Sequence, residues 1–361
     1  MSAWKYKRLT PKVIASKLRL ISKKDLTDLC GRNLEAVSLE LSKTPYKQDI
    51  AGIPTARLDS LSLERAFFRN FERTCMEITD CAPRGVKRLL SAVQSKFEAN
   101  VVKTMLRARA ANISIDEAMS YVIPAGRLDE ASCRGKLGNS KNIVDLIETF
   151  SDLGYGEVLK NSLTEYETTG ALQTLEAVVD KYVYSRIWEA VGKLMGVDRR
   201  ISRTVLGIEI DSVNVKVVLR GKALNFHEDQ IKRLLVSSSD VFEAKDWENA
   251  MRSRDVKSAI ESLLSAARSS LARDHQYVLN DVLKEYERSK SLSRLETVLD
   301  LGLLKTSLRM VRRYTYFFNV GSALAFWNLK WFEIRNLRAI IRGVEANLSS
   351  AEIRKLLILP Y

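Results

Sequence analysis

Histidine is nearly absent from this chain: His227 and His275 are the two in 361 residues. That scarcity removes most metal centres and most nucleophile–histidine arrangements, and His227-Glu228 lacks the second histidine of a zinc-binding H-E-x-x-H. The four cysteines, Cys30, Cys75, Cys81 and Cys133, form no C-x-x-C pair and no disulfide framework, and no signal peptide precedes them. A reducing, cytosolic compartment is the expectation. Phosphate-cradling loops are missing too. Gly135-Lys136, Gly192-Lys193 and Gly221-Lys222 each lack the earlier glycine and the hydroxyl residue of a P-loop, and Gly154-Tyr-Gly156 is a lone G-x-G. No cofactor, metal or small-molecule substrate is expected. Paired acids such as Glu165 and Glu167 suit solvated helix faces, so a hydrolytic enzyme has little behind it and the chain reads as non-catalytic.

Long apolar runs are also lacking. The least charged stretch, Tyr314 to Leu329, has no ionisable Asp, Glu, Lys, Arg or His, yet it spans 16 residues and includes Asn319 and Asn328. A spanning helix needs about 20 apolar residues. A buried core helix is therefore expected, with a membrane-facing surface as the alternative, and the protein is expected to behave as soluble when expressed alone. Six prolines and 16 glycines leave few helix breakers, which makes the expected class all-α.

What the chain does have is positive charge, +14 from 58 basic and 44 acidic residues. Nucleic acid, anionic lipid head groups and acidic protein surfaces are the partners this favours. The chain also repeats itself. Phe332 to Glu352, Ile210 to Gln230 and Phe97 to Glu117 align without a gap on Arg342, Arg220 and Arg107. Each copy has an acid (Glu98, Asp211, Glu333), a base four residues before the arginine (Lys103, Lys216, Arg338), and an asparagine five after it (Asn112, Asn225, Asn347). An apolar residue and Ser-x-x-Glu follow, or His227-x-x-Gln230 in the middle copy, which is the signature of a helix start. The unit reads as helix, tight corner, helix, with the asparagine in the left-handed conformation.

A second pair of runs matches as closely, LTEYETTGALQTLEAVVD with Tyr166 and Glu176, and LKEYERSKSLSRLETVLD with Tyr286 and Glu296; Leu63-Glu64 answers in the first unit. These acids precede the signature arginines by 43, 44 and 46 residues. Three domains are expected, 1–124, 125–237 and 238–361, with 124 to 140 the most loop-like segment. Bases four apart on one helical face repel. Some carboxylate must answer them, and Glu64, Glu176 and Glu296 are the candidates, each expected to hold the arginine of its own domain in a largely buried pair. The late aromatics, Tyr314, Tyr316, Phe317, Phe318, Phe326, Trp327, Trp331 and Phe332, are expected in a core because the middle of the cluster carries no cation.

The closing EIRNLRAIIRG, the two YE…LE runs and the threefold repeat together resemble the C subunits of archaeal and bacterial A-type and V-type rotary ATPases, relatives of the d subunit of the eukaryotic V-ATPase. That resemblance implies an all-helical funnel of three similar domains about a pseudo-threefold axis in the central stalk. Its implied partners are the proteolipid subunits of the membrane rotor ring and stalk subunits D and F. Its implied location is the cytoplasmic face of the membrane, as a peripheral protein that passes torque for proton or sodium transport linked to ATP synthesis or hydrolysis. One departure is Asn100, which falls one column ahead of Asn214 and Asn336. The rival reading, from charge alone, is a free-standing helical nucleic-acid adaptor, which requires a basic groove with exposed aromatics.

Overall fold

The computed structural model describes residues 3–54, 56, 58–236, 241–267, 273–313 and 319–359. Those residues are all-α, as the scarcity of breakers predicts; their one extended pairing is an isolated bridge between Ala125 and Leu128. The helices of the first part are α1 (Leu9–Lys17), α2 (Lys23–Leu29), α3 (Leu34–Leu41), α4 (Lys47–Ile50), α5 (Ser60–Asp80), α6 (Arg84–Ala110) and α7 (Ile115–Tyr121). Next come α8 (Glu130–Gly138), α9 (Ile143–Thr149), α10 (Tyr155–Lys160), α11 (Leu163–Thr169), α12 (Leu172–Gly192), α13 (Gly196–Ala223) and α14 (Glu228–Leu234). The last are α15 (Ala244–Arg252), α16 (Val256–Ala266), α17 (Arg273–Ser289), α18 (Leu292–Arg313), α19 (Gly321–Glu345) and α20 (Ser350–Leu356).

Side-chain caps start many of them. Asp59, Asn142 and Asp255 each accept the backbone N–H three residues on, at 2.7, 2.9 and 2.8 Å, satisfying a donor the helix itself leaves open. The same device overturns the expectation of a loop across 124 to 140. Asp129 caps α8 through the Ser132 N–H at 2.7 Å, and the glycines at 135 and 138 are carried inside the helix or at its end.

Two of the long helices turn back on short connectors: α5 into α6 over residues 81–83, and α12 into α13 over 193–195. The long helices also pack across units, with α6 along α12, α13 along α18, and α19 along α5. The N-terminal ends of α6, α13 and α19 converge. Asp198 on α13 accepts the Val320 N–H at 3.1 Å, a Cβ on Gly321 would lie 3.1 Å from Ile201, and one on Gly85 would lie 3.5 Å from Leu194. A continuous apolar core runs from the N-terminal segment through α5, α6, α12 and α19 and takes in Ile201, Val205, Leu206 and Ile208 of α13. From Val215 onward α13 belongs to a separate core with α15 to α18. The three long helices are thus closed together at their starts and part further along.

Of the late aromatics, Phe326, Trp327 and Phe332 are buried and Trp331 is half-buried against Phe68, Phe71 and Phe97, with ring centroids 5.8, 5.8 and 5.0 Å apart. They are core residues, as expected, and offer no exposed stacking platform. Tyr314, Tyr316, Phe317 and Phe318 lie outside the described residues. Among those described, no helix is long and apolar enough to cross a membrane.

Candidate functional site

The repeated corner is built the same way three times. Asn112, Asn225 and Asn347 take φ of 51°, 54° and 55°, the left-handed conformation expected of them. The apolar residue that follows then donates its N–H to a carbonyl five residues back: Ile113 to Ala108 at 3.3 Å, Phe226 to Gly221 at 2.8 Å, and Leu348 to Gly343 at 2.9 Å. That closes the helix end in a Schellman turn. Ser114 and Ser349 cap the next helices through the N–H groups of Glu117 and Glu352 at 3.2 and 3.3 Å. In the middle copy the Gln230 side chain accepts the His227 N–H at 2.8 Å, which accounts for His227 as a capping residue.

The corner fixes the direction in which each long helix presents its bases, and the bases meet carboxylates from another unit. Arg107 donates to Glu176 at 2.5 and 2.9 Å, Arg220 to Glu296 at 2.6 Å, and Arg342 to Glu64 at 2.9 Å. The expected partners were Glu64, Glu176 and Glu296 in that order; each arginine instead takes the acid of the following copy, and the last returns to the first. The reason is the packing: α6, α13 and α19 lie along α12, α18 and α5, so the acids facing their C-terminal turns come from the next unit. Burial also differs from expectation. The arginine side chains are 59, 59 and 55% exposed, whereas Glu64 is 1% exposed and Glu176 and Glu296 are 19 and 27% exposed. An arginine near a helix end keeps its head in water while its stem covers apolar surface, so the carboxylate is the buried member.

In two of the three copies the second base is answered by an acid four residues beyond the first. Lys103 and Lys216 donate to Asp180 and Asp300, both at 2.7 Å, and Arg335 also reaches Asp300. In the first unit that position is Phe68. Arg338 therefore sits over the Phe68 ring, 5.7 Å from its centroid, and shares Glu64 with Arg342. Asp180 and Asp300 are the site residues that sequence reasoning missed. Their signal was available, since LEAVVD and LETVLD both place a second acid four residues after the glutamate.

The acid column of the repeat is buried in every copy. Glu98 accepts from the Arg127 backbone at 2.9 Å and guanidinium at 2.7 Å, Asp211 lies 2.8 Å from His275 Nε2, and Glu333 accepts from Lys330 and the Tyr46 hydroxyl, both at 2.6 Å. Burial, then the Glu333 charge, push the Tyr46 phenol well above its usual value. Asn214 and Asn336 brace the chain after the corner helix, each bonding both the N–H and the C=O of one residue, Val236 and Ile358. Val101 occupies the matching place in the first copy, and Asn100 beside it is exposed.

Where α6, α13 and α19 part, a cavity of about 390 Å³ opens between them and α12 and α18. Lys96, Tyr184, Glu209, Ser212, Asn328 and Arg335 line part of it. Lys96 is ion-paired to Glu209, whose Oε1 also accepts from Tyr184 at 3.3 Å, while its buried Oε2 takes no hydrogen bond. Among the described residues no cluster of His, Cys, Asp and Glu is grouped to hold a metal ion.

Residues 9–356 match the model of the ATP synthase (C/AC39) subunit family. The C subunit of the A-type ATP synthase of Methanocaldococcus jannaschii is 27% identical over 90% of this chain and 80% of its own length. Proteins of the same name from Methanothermobacter thermautotrophicus and Methanococcoides burtonii are 25 and 24% identical, over 94 and 99% of this chain and 84 and 95% of theirs. With the threefold corner, the helical architecture and a match over nearly the full length, the chain belongs to the ATP synthase (C/AC39) subunit family, as a non-catalytic subunit of a rotary ATPase.

Proposed function

We propose that this protein stands in the central stalk and couples the stalk subunits of the catalytic head, D and F, to the proteolipid rotor ring, as a peripheral protein on the cytoplasmic face of the membrane. In this reading three helical units surround a pseudo-threefold axis as a funnel. The sequence repeats fall at 1–124, 125–237 and 238–361, while the packing units are offset, with α6 to α12 as one, α13 to α18 as the next, and α19 and α20 joined to α1 to α5 as the third.

The observation that carries the proposal is the cyclic return of the ion pairs, Arg107 to Glu176, Arg220 to Glu296 and Arg342 to Glu64. A transmitter of torque needs every unit tied to both neighbours, because an open arc would flex at its free ends. The cavity supports the same reading. It begins where the closed starts of the three long helices give way, so it suits a shaft entering from the opposite end. A cysteine at Asn328, carrying a short cross-linker in the assembled complex from solubilised membranes, tests this. Cross-linking to a stalk subunit is expected; a complex without ATPase subunits, or cross-links to the ring alone, overturns the proposal.

A further inference from the structure

We infer that the closed end of the molecule, where α6 and α13 begin and the N-terminal segment crosses, docks on an anionic lipid head-group layer. Arg84 and Arg88 open α6, Arg199 and Arg200 open α13, and all four are exposed with no carboxylate of the described residues in ion-pair reach. Cations in the first turns of a helix oppose the positive end of its dipole, so their placement lowers the stability of the helices that carry them. An external anion offsets that cost.

Lys5 and Arg8 extend the same surface. They flank Tyr6, which is buried beside Asp198 at the start of α13; burial first, then the adjoining Asp198 carboxylate, push its phenol up. Apolar side chains project among these cations. Met195, in the connector between α12 and α13, is 85% exposed, and Trp4 is 74% exposed with the Lys7 ammonium over its ring. A protein partner of standard size would call for a contiguous apolar centre. Separate apolar tips, one of them tryptophan, set in a field of arginine and lysine suit the boundary between head groups and acyl chains. Placing this end toward the membrane agrees with the proposed funnel and rests on that reading for its orientation; the lipid affinity itself rests on the charge and exposure described.

The test is sedimentation of the full chain with vesicles containing no ATPase protein, either phosphatidylglycerol mixed with phosphatidylcholine or phosphatidylcholine alone. Binding to the anionic vesicles only is expected. The triple variant Arg84→Glu, Arg199→Glu, Arg200→Glu should weaken it roughly tenfold or more. The equally charged Lys141→Glu, Lys284→Glu, Lys355→Glu, at exposed positions remote from this end, should retain it, with circular dichroism confirming that both variants fold. Equal binding to neutral vesicles, no binding to anionic ones, or equal loss in both variants overturns the inference. If the first variant also fails to co-purify with the ATPase while the native chain ignores vesicles, the cations face protein and the coupling role survives alone. Vesicle binding by a chain that never joins an ATPase complex sinks the coupling role instead.

Discussion

At the scale of single residues, the ion pairs are asymmetric, and that decides how substitutions act. Glu64 is buried beneath two arginines that reach water. Arg338→Ala with Arg342→Ala leaves its carboxylate uncompensated and should cost about 3 to 5 kcal/mol in chemical denaturation. Glu64→Leu returns the guanidinium groups to solvent and should cost clearly less; Arg107→Ala, at an exposed pair, should cost under about 1 kcal/mol. A double-mutant cycle should couple Arg342 to Glu64 and find no coupling to Glu296. Glu72 offers a pH signature. Burial raises its carboxyl above the usual range, the Gly126 N–H partly offsets this, and the Glu98 charge adds to it. A carboxyl raised on folding penalises the native state above its folded value, and the penalty fades as pH falls from there through its unfolded value. Glu72→Gln should therefore stabilise the protein at neutral pH and flatten the rise in stability on acidification. Equal pH dependence in both proteins would refute the assignment. Thiol reactivity follows the same physics: burial pushes Cys133 up to about 12 and Cys75 well above its usual value. Native protein should react with a thiol reagent at half-buried Cys81 first, and at the others after unfolding.

At the scale of elements, the corner closes through a size exchange that the aligned columns contain but do not advertise. Gly221 and Gly343 lie against Ile231 and Ile353, so close that an added Cβ would come within 2.5 and 2.7 Å of the isoleucine Cγ1. In the first copy the same two positions are Ala108 and Ala118, both buried. A small residue thus opposes a large one, or two intermediate residues meet. Gly343→Ala should destabilise by about 1 to 3 kcal/mol through overpacking, and Ile353→Ala in the same chain should recover part of the loss by reproducing the first copy. A double mutant as unstable as the sum of the singles would disprove the exchange. Such corners were legible because asparagine, capping serine and glutamate act locally, within one turn of the chain. Helix α8 was not, because Gly126, Gly135 and Gly138 masked the Asp129 cap. The choice of partner for each arginine was also hidden. Spacing along a sequence is the same for an acid in one's own unit and one in the next, and only the packing of α6 on α12 separates them.

At the scale of the whole molecule, the third packing unit is assembled from both ends of the chain, with α19 lying along α5 and Lys330 and Glu333 holding Tyr46. A chain ending at residue 318 should lose amide-exchange protection throughout α5 while α6 and α12 keep theirs; uniform loss would show that the units do not hold separately. The same joint imposes a timetable. Arg342 follows Glu64 by 278 residues, and a ribosome adding roughly 5 to 20 residues per second needs on the order of ten seconds or more to supply it. For that interval Phe68 and Phe71 have no Trp331 to cover them. The early segment is thus late to find its place, and the nascent chain carries an exposed aromatic face, a natural client for a chaperone, until α19 leaves the ribosome.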